Sequence, residues 1–191
     1  SSPIAQDQAA FEEYQGYLWS ASNPEYGAFM RTQIRTLAQA GYFNGATLFL
    51  YTEATRGLEH LVTVEAPSGW KAFAALERRG EAFVAKDYDE LVDSPFEVGP
   101  HTPLTFTAAG VPHEVVVWGD TVPDAARLCS DLQRIVEAQA KMFGGLPMRR
   151  YLFLLYLTDK GRGGLEHKAS TSLLFPRAGL QNARGWEDLL T

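Results

Sequence analysis

Cysteine is nearly missing from this chain: Cys129 is the only one among 191 residues, so no disulfide closes within it. Histidine is scarce as well. His60, His101, His113 and His167 are the whole set, and no two stand four residues apart. That excludes the His-Glu-x-x-His pattern, by which one helical turn presents two imidazoles to a metal with a carboxylate beside the bound water. Clustered positive charge is lacking too, with 17 Lys and Arg against 23 Asp and Glu and a net charge of −6. Only Arg78-Arg79 and Arg149-Arg150 are adjacent basic pairs. Nucleic acid is therefore not the expected partner, because phosphate neutralisation needs gathered Lys and Arg. The longest apolar run, Tyr151 to Leu157, falls far short of the ~20 residues a bilayer span requires, so no membrane partner is expected. Residues 1–30 show no basic start followed by a continuous apolar stretch, the mark of a secretory signal. The compartment, cytoplasmic or periplasmic, is left open. Nor is there a Gly-x-Ser-x-Gly elbow or a Walker-type phosphate loop.

What is present fits a globular chain of one large domain or two small ones, 46% hydrophobic and 21% charged. Residues 1–40 carry helix-like spacing at Gln8 to Trp19, a break at Asn23-Pro24, and a second helical pattern over Ala28 to Ala40. From Gly45 to Asp120 short β-rich runs take over. Ala46–Thr52, Leu61–Ala66, Pro103–Ala108 and His113–Gly119 read as strands, separated by Pro67-Ser68-Gly69, Gly99-Pro100 and Gly110-Val111-Pro112. An acidic helix is expected over Asp87–Val92. Thr121-Val122-Pro123-Asp124 resembles a capping box with Thr121 as the cap. Ala125, Leu128, Leu132, Ile135, Val136, Gln139 and Met142 then recur at helical spacing until Gly144-Gly145 and Pro147. Tyr151 to Leu157 is apolar on both faces, which predicts a buried central strand. The expected class is α+β. A β-sandwich-like domain over 41–120 precedes a helix and strands over 121–191, and residues 1–40 form an N-terminal segment of uncertain, helical character.

Two motifs have bland counterparts. His113-Glu114-Val115-Val116-Val117 begins like a metal helix, but it lies in a strand pattern, where neighbours face opposite sides. Cys129 sits in a helical pattern beside Leu128 and Leu132, as a small buried hydrophobe does. The segment from Asp159 to Ser172 remains, with Gly161, Gly163, Gly164, Glu166, His167 and Lys168 directly after the buried strand. Glycines there let the backbone approach a ligand closely, with Glu166 held near a sheet edge. The competing reading is a surface loop with Glu166 and Lys168 as a solvated pair.

A series of stretches then resembles the glycyl aminopeptidase family of zinc metallopeptidases, whose members often carry a PDZ domain. In order these are Gly41-Tyr42-Phe43-Asn44-Gly45, Glu65-Ala66-Pro67-Ser68-Gly69-Trp70, Asp87-Tyr88-Asp89-Glu90-Leu91-Val92-Asp93-Ser94-Pro95 and Gly110-Val111-Pro112-His113. They continue with Phe143-Gly144-Gly145-Leu146-Pro147, Gly163 to Thr171, and Trp186-Glu187-Asp188-Leu189-Leu190. The resemblance implies a β-rich N-terminal domain followed by the start of a thermolysin-like catalytic domain. The family's zinc helix comes shortly after the last stretch, so the chain is expected to be a fragment, inactive alone. Neither catalytic residues nor metal ligands are expected within it; the zinc would bind the intact parent protein and not this chain. The implied substrate of the parent is a peptide, with an N-terminal glycine preferred. Gly163-Gly164-Leu165-Glu166-His167 is similar to the Gly-x-Met-Glu-Asn strand of related zinc aminopeptidases. By that likeness Gly163 and Gly164 would admit the peptide backbone and Glu166 would bind its free amino group. His167 departs from asparagine, which leaves its role as a substrate-binding residue open. The alternative is a non-catalytic β-rich binding or interaction module. Self-association of the fragment through apolar surface is also expected.

Overall fold

The computed structural model describes residues 29–33, 41–119 and 122–190. Its strands are β1 Phe29–Gln33, β2 Gly41–Phe43, β3 His60–Glu65, β4 Lys71–Phe73, β5 Glu77–Arg79, β6 Ala82–Ala85, β7 Phe96–Gly99, β8 Leu104–Ala108 and β9 Val111–Trp118. They continue with β10 Tyr151–Thr158, β11 Gly163–Glu166 and β12 Ser170–Pro176. The helices are α1 Tyr88–Val92, α2 Ala125–Phe143 and α3 Ala183–Leu190.

The N-terminal half is two sheets around one core. A four-stranded sheet runs β1-β3-β6-β5 and a three-stranded sheet runs β2-β7-β4, with every pairing antiparallel except β1 with β3. Val62 and Phe83 from the first sheet meet Phe96 from the second and Leu91 from α1, all buried. Aromatic geometry fastens this core. Phe96 stacks on Phe43 at 4.8 Å and meets Phe83 edge-on at 5.1 Å between centroids, two arrangements that the ring quadrupole favours.

The second unit is a five-stranded mixed sheet in the order β11-β12-β10-β9-β8. Strands β12, β10 and β9 are parallel to one another, while β11 and β8 run antiparallel at the two ends. As its unbroken apolar pattern predicts, β10 is central and buried on both faces. Phe153, Leu155 and Leu157 pack with Leu128, Val136 and Trp186 of α2 and α3. Leu152 and Leu154 point the other way, onto Phe73 of the N-terminal half. This sheet takes β8 and β9 from before residue 120 and β10 to β12 from after it, so the expected division at 120/121 runs through one sheet. The architecture is α+β, a β-rich part followed by a helix and strands. No helix among the described residues is long and apolar enough to cross a membrane.

Several local expectations change. The strand expected over Ala46–Thr52 does not form. Asn44 accepts a hydrogen bond from the Ala46 amide at 3.0 Å and opens a 3₁₀ turn over Gly45–Thr47. A Cβ at Gly45 would stand 2.9 Å from the Leu91 carbonyl, so the chain turns where it touches α1. Leu48 and Phe49 are then both buried, which an alternating strand cannot achieve. Part of the helix expected over Ala28–Ala40 is strand β1, whose register with β3 sets Phe29 beside Leu61. The remainder of that helix, and the one expected over Gln8–Trp19, lie outside the described residues. The cap of α2 is Asp124, not Thr121: its carboxylate accepts from the Arg127 amide at 2.9 Å. Gly144, in the left-handed region, ends the helix as expected. Met142, read as part of the apolar stripe, is 71% exposed beside Phe143 at 78%. Cys129 is half-buried, and burial pushes its thiol above the usual range, which disfavours the reactive thiolate.

Candidate functional site

The glycine-rich segment after β10 is a strand, not an unstructured loop. β11 pairs antiparallel with β12 in the register Gly163–Leu174, Gly164–Leu173, Leu165–Ser172 and Glu166–Thr171. As the terminal strand of its sheet it offers one edge of backbone N–H and C=O groups with no strand partner among the described residues. All four of its residues are exposed. Such an edge is a template for an added extended chain.

Period-two alternation sorts its side chains. Gly164 and Glu166 share one face: a Cβ placed on Gly164 would stand 3.2 Å from Glu166 Oε1 and 3.3 Å from the Leu173 side chain. The missing side chain at Gly164 thus makes room for the Glu166 carboxylate. Around Gly163 nothing stands within 4 Å of the Cβ position, so backbone approach there is unobstructed. No hydrogen bond or ion pair engages the Glu166 carboxylate among the described residues, and none joins it to Lys168. Its field is nonetheless felt nearby. The Tyr151 phenol is held above its ordinary range, by burial first and then by the charges of Glu166 and Asp93.

Leu165 points to the opposite face. There an apolar cleft of about 360 Å³ is lined by Tyr42, Tyr156, Gly163, Leu165, Ser172 and Leu174. Tyr42 reaches over from the N-terminal half, its hydroxyl 3.2 Å from Ser172 Oγ and its ring edge-on to Tyr156 at 5.4 Å. Beneath the cleft the Tyr156 hydroxyl donates to Glu97 Oε2 at 2.9 Å, and His101 Nε2 lies 2.8 Å from Glu97 Oε1. Glu97 is only 1% exposed. Burial, and then the Glu97 carboxylate, push the Tyr156 phenol far up, so it stays a hydrogen-bond donor.

His167 follows Glu166 and is nearly buried. Its Nδ1 lies 3.2 Å from Asp93 Oδ1, while Asp93 Oδ2 accepts from the Lys168 amide at 2.9 Å. Its Nε2 is buried and has no hydrogen-bond partner among the described residues. The structure thus sets Gly163, Gly164 and Glu166 along one edge strand with His167 in the turn after it, and adds three residues that sequence reasoning did not single out: Asp93, Tyr42 and Tyr151. No spacing rule links positions 42, 93 and 151 to 166. The one sequence signal was that Tyr42 and Asp93 fall within stretches that carried the family resemblance.

The near-match at His113 is separated by the strand. His113 is buried toward the helices, its Nδ1 bonded to the Val111 carbonyl at 2.9 Å, and burial lowers its pKa. Glu114 faces the other way and pairs with Arg150. Among the described residues no group of three or more His, Cys, Asp or Glu is arranged to hold a metal ion.

Residues 6–100 match the family model described as the peptidase M61 N-terminal domain. The chain is also similar to the crystal structure of an aminopeptidase N family protein from Idiomarina loihiensis, 32% identical with a TM-score of 0.74. That alignment covers 78% of this chain and 28% of the other, so this chain spans little more than a quarter of its length. No curated protein matches the chain. The two matches support kinship with a metallopeptidase family and a peptidase-related part of a longer architecture.

Proposed function

We propose that this chain is the substrate-aligning N-terminal part of a zinc-dependent aminopeptidase, with Glu166 as the anchor for the substrate's free α-amino group. The observation that carries the reading is an exposed carboxylate, without hydrogen bond or ion pair among the described residues, at the end of an edge strand where Gly164 leaves room beside it.

An α-amino group with a pKa of about 8 is largely cationic at neutral pH, and a carboxylate is its natural partner. With that amine at Glu166, the C-terminal end of β11, the peptide runs back along the free edge toward Gly163. It is then antiparallel to β11 and takes main-chain hydrogen bonds from it. Gly163 lets the peptide backbone approach closely. The Leu165–Tyr42 cleft lies on the face to which alternate peptide side chains point. Zinc, a thermolysin-like catalytic domain, a PDZ domain and a preference for N-terminal glycine belong to this proposal for the longer protein. No step assigned to the present residues passes through a metal.

The test is Glu166→Gln in the longer protein, assayed on a glycyl peptide and on its N-acetylated form. Loss of a charge-assisted hydrogen bond is expected to lower kcat/KM for the free amine by about 10- to 100-fold. The acetylated peptide, poor for the native protein, should not become poorer. Equal activity on both peptides in the native protein ends the reading. Activity unaffected by chelator would remove zinc from it. A gene that continues past Thr191 without a His-Glu-x-x-His segment would favour the alternative, a non-catalytic binding module.

A further inference from the structure

We propose that Asp93, supplied by the N-terminal half, is the positioning residue that holds the Glu166 end of the edge strand in place. The role matters to substrate only if Glu166 is the amine anchor, but the positioning itself is independent of that reading.

Glu166 is the last residue of β11. Beyond it the chain turns back into β12 through residues 167–169, closed by the His167 amide donating to the Ser170 carbonyl at 2.8 Å. The Leu152 amide also donates to the Ala169 carbonyl at 3.1 Å, but both bonds are accepted on the β12 side of the turn, and terminal ladder pairs fray most easily. Asp93 adds two more bonds, one from each carboxylate oxygen: the His167 ring at 3.2 Å and the Lys168 amide at 2.9 Å. An ionised carboxylate only accepts, so His167 Nδ1 carries the hydrogen of that contact. The two gripped groups are consecutive residues directly after Glu166, so together they restrict both translation and rotation of the turn.

The support behind Asp93 is rigid. It closes α1, its amide donating to the Asp89 carbonyl at 3.2 Å. Asp87 caps that helix by accepting from the Glu90 amide at 2.7 Å. Leu91 is buried at 0% exposure in the N-terminal core, and the Tyr88 hydroxyl donates to the Phe49 carbonyl at 2.8 Å. A short helix with its apolar side locked in one core thus presents a carboxylate to a turn of the neighbouring sheet. The arrangement ties the open edge to the other half of the molecule, as groups that support a binding residue do.

The experiment compares the chain with Asp93→Ala and Asp93→Asn by NMR. Asn keeps the shape: its carbonyl accepts from the Lys168 amide and its NH₂ donates to Nδ1 in the other histidine tautomer. Ala removes both bonds. Hydrogen exchange at the Lys168 amide is expected to accelerate about tenfold or more in Asp93→Ala and to stay close to native in Asp93→Asn. Amide order at Leu165 and Glu166 should fall only in Asp93→Ala, while α2 signals stay unchanged in both. Glycinamide is then added as the amine probe. Shifts at Glu166 in the native chain, weakened about tenfold by Ala and rescued by Asn, are expected. Unchanged Lys168 exchange in Asp93→Ala overturns the positioning role. So does an Asn variant as impaired as Ala, which would make charge the operative property. A native chain that ignores glycinamide but shows the exchange pattern retains the role of Asp93 and removes that of Glu166.

Discussion

Residues 41–99 and 104–190 handle the same β-sheet problem in opposite ways. In the first region two sheets close on each other, and buried aromatic rings from both fill the space between them. In the second, one sheet is covered by α2 and α3 on one face and by the N-terminal half on the other, yet its β11 edge stays open. The first region buries Phe49, Phe83, Leu91 and Phe96 between its sheets. The second leaves main-chain groups and a carboxylate exposed where a peptide could use them. The proposed anchor lies on one such terminal strand, and the first region reaches its surroundings through Asp93 and Tyr42.

The comparison can be broken most forcefully at Phe96. It is buried at 0% and touches Phe43, Phe49 and Phe83. Phe96→Ala should cost about 3–5 kcal/mol in a denaturant titration, as large cavities in close-packed cores do. A loss below about 1 kcal/mol would mean that the first region is not sealed. A smaller effect is expected at the start of α2. Asp124→Ala removes the acceptor for the Arg127 amide and should cost about 1 kcal/mol, read as a shift of midpoint without a change of slope.

The smallest effect should come from pH. His113 is buried among Phe106, Tyr151 and Phe153, and burial lowers its pKa. Its folded pKa lies below its unfolded one, so the unfolded chain binds the proton first as pH falls. The contribution is therefore intact above the unfolded value of about 6.5 and declines as pH drops from there toward the lowered folded value. His60, also buried with a lowered pKa, adds to the same acid loss in the first region. Replacing His113 with Phe should flatten part of the stability decline between neutral and mildly acidic pH, followed by thermal melts. An unchanged decline would show that other groups carry it.

Much of the fold was legible in the sequence. The continuous apolar run of β10 foretold a central strand, and the period of α2 with its Gly144 stop foretold a helix against that sheet. Alternation and turn residues located β3, β8 and β9. Ala46–Thr52 misled because a β-rich composition is compatible with any path that buries Leu48 and Phe49; the Asn44 side chain and the close approach to Leu91 chose a turn. The cap of α2 misled because Thr121 and Asp124 can each accept an amide hydrogen, and only the chain's entry angle selects one. At the candidate site Gly163, Gly164 and Glu166 were visible as a pattern. The hold of Asp93 on His167 and Lys168 was not, since the contacts span 74 and 75 residues of sequence.

The order of amino acids by itself determined what depends on near neighbours: which segments alternate, which recur every helical turn, where glycine stops a helix, and that no single helical turn brings two imidazoles together. The tertiary structure decided which strand is left at an edge, which way Glu166 faces, and which distant carboxylate steadies it. Local periodicity is a property of consecutive residues, whereas edges and cross-sheet contacts exist only after separate segments have packed and excluded water between them.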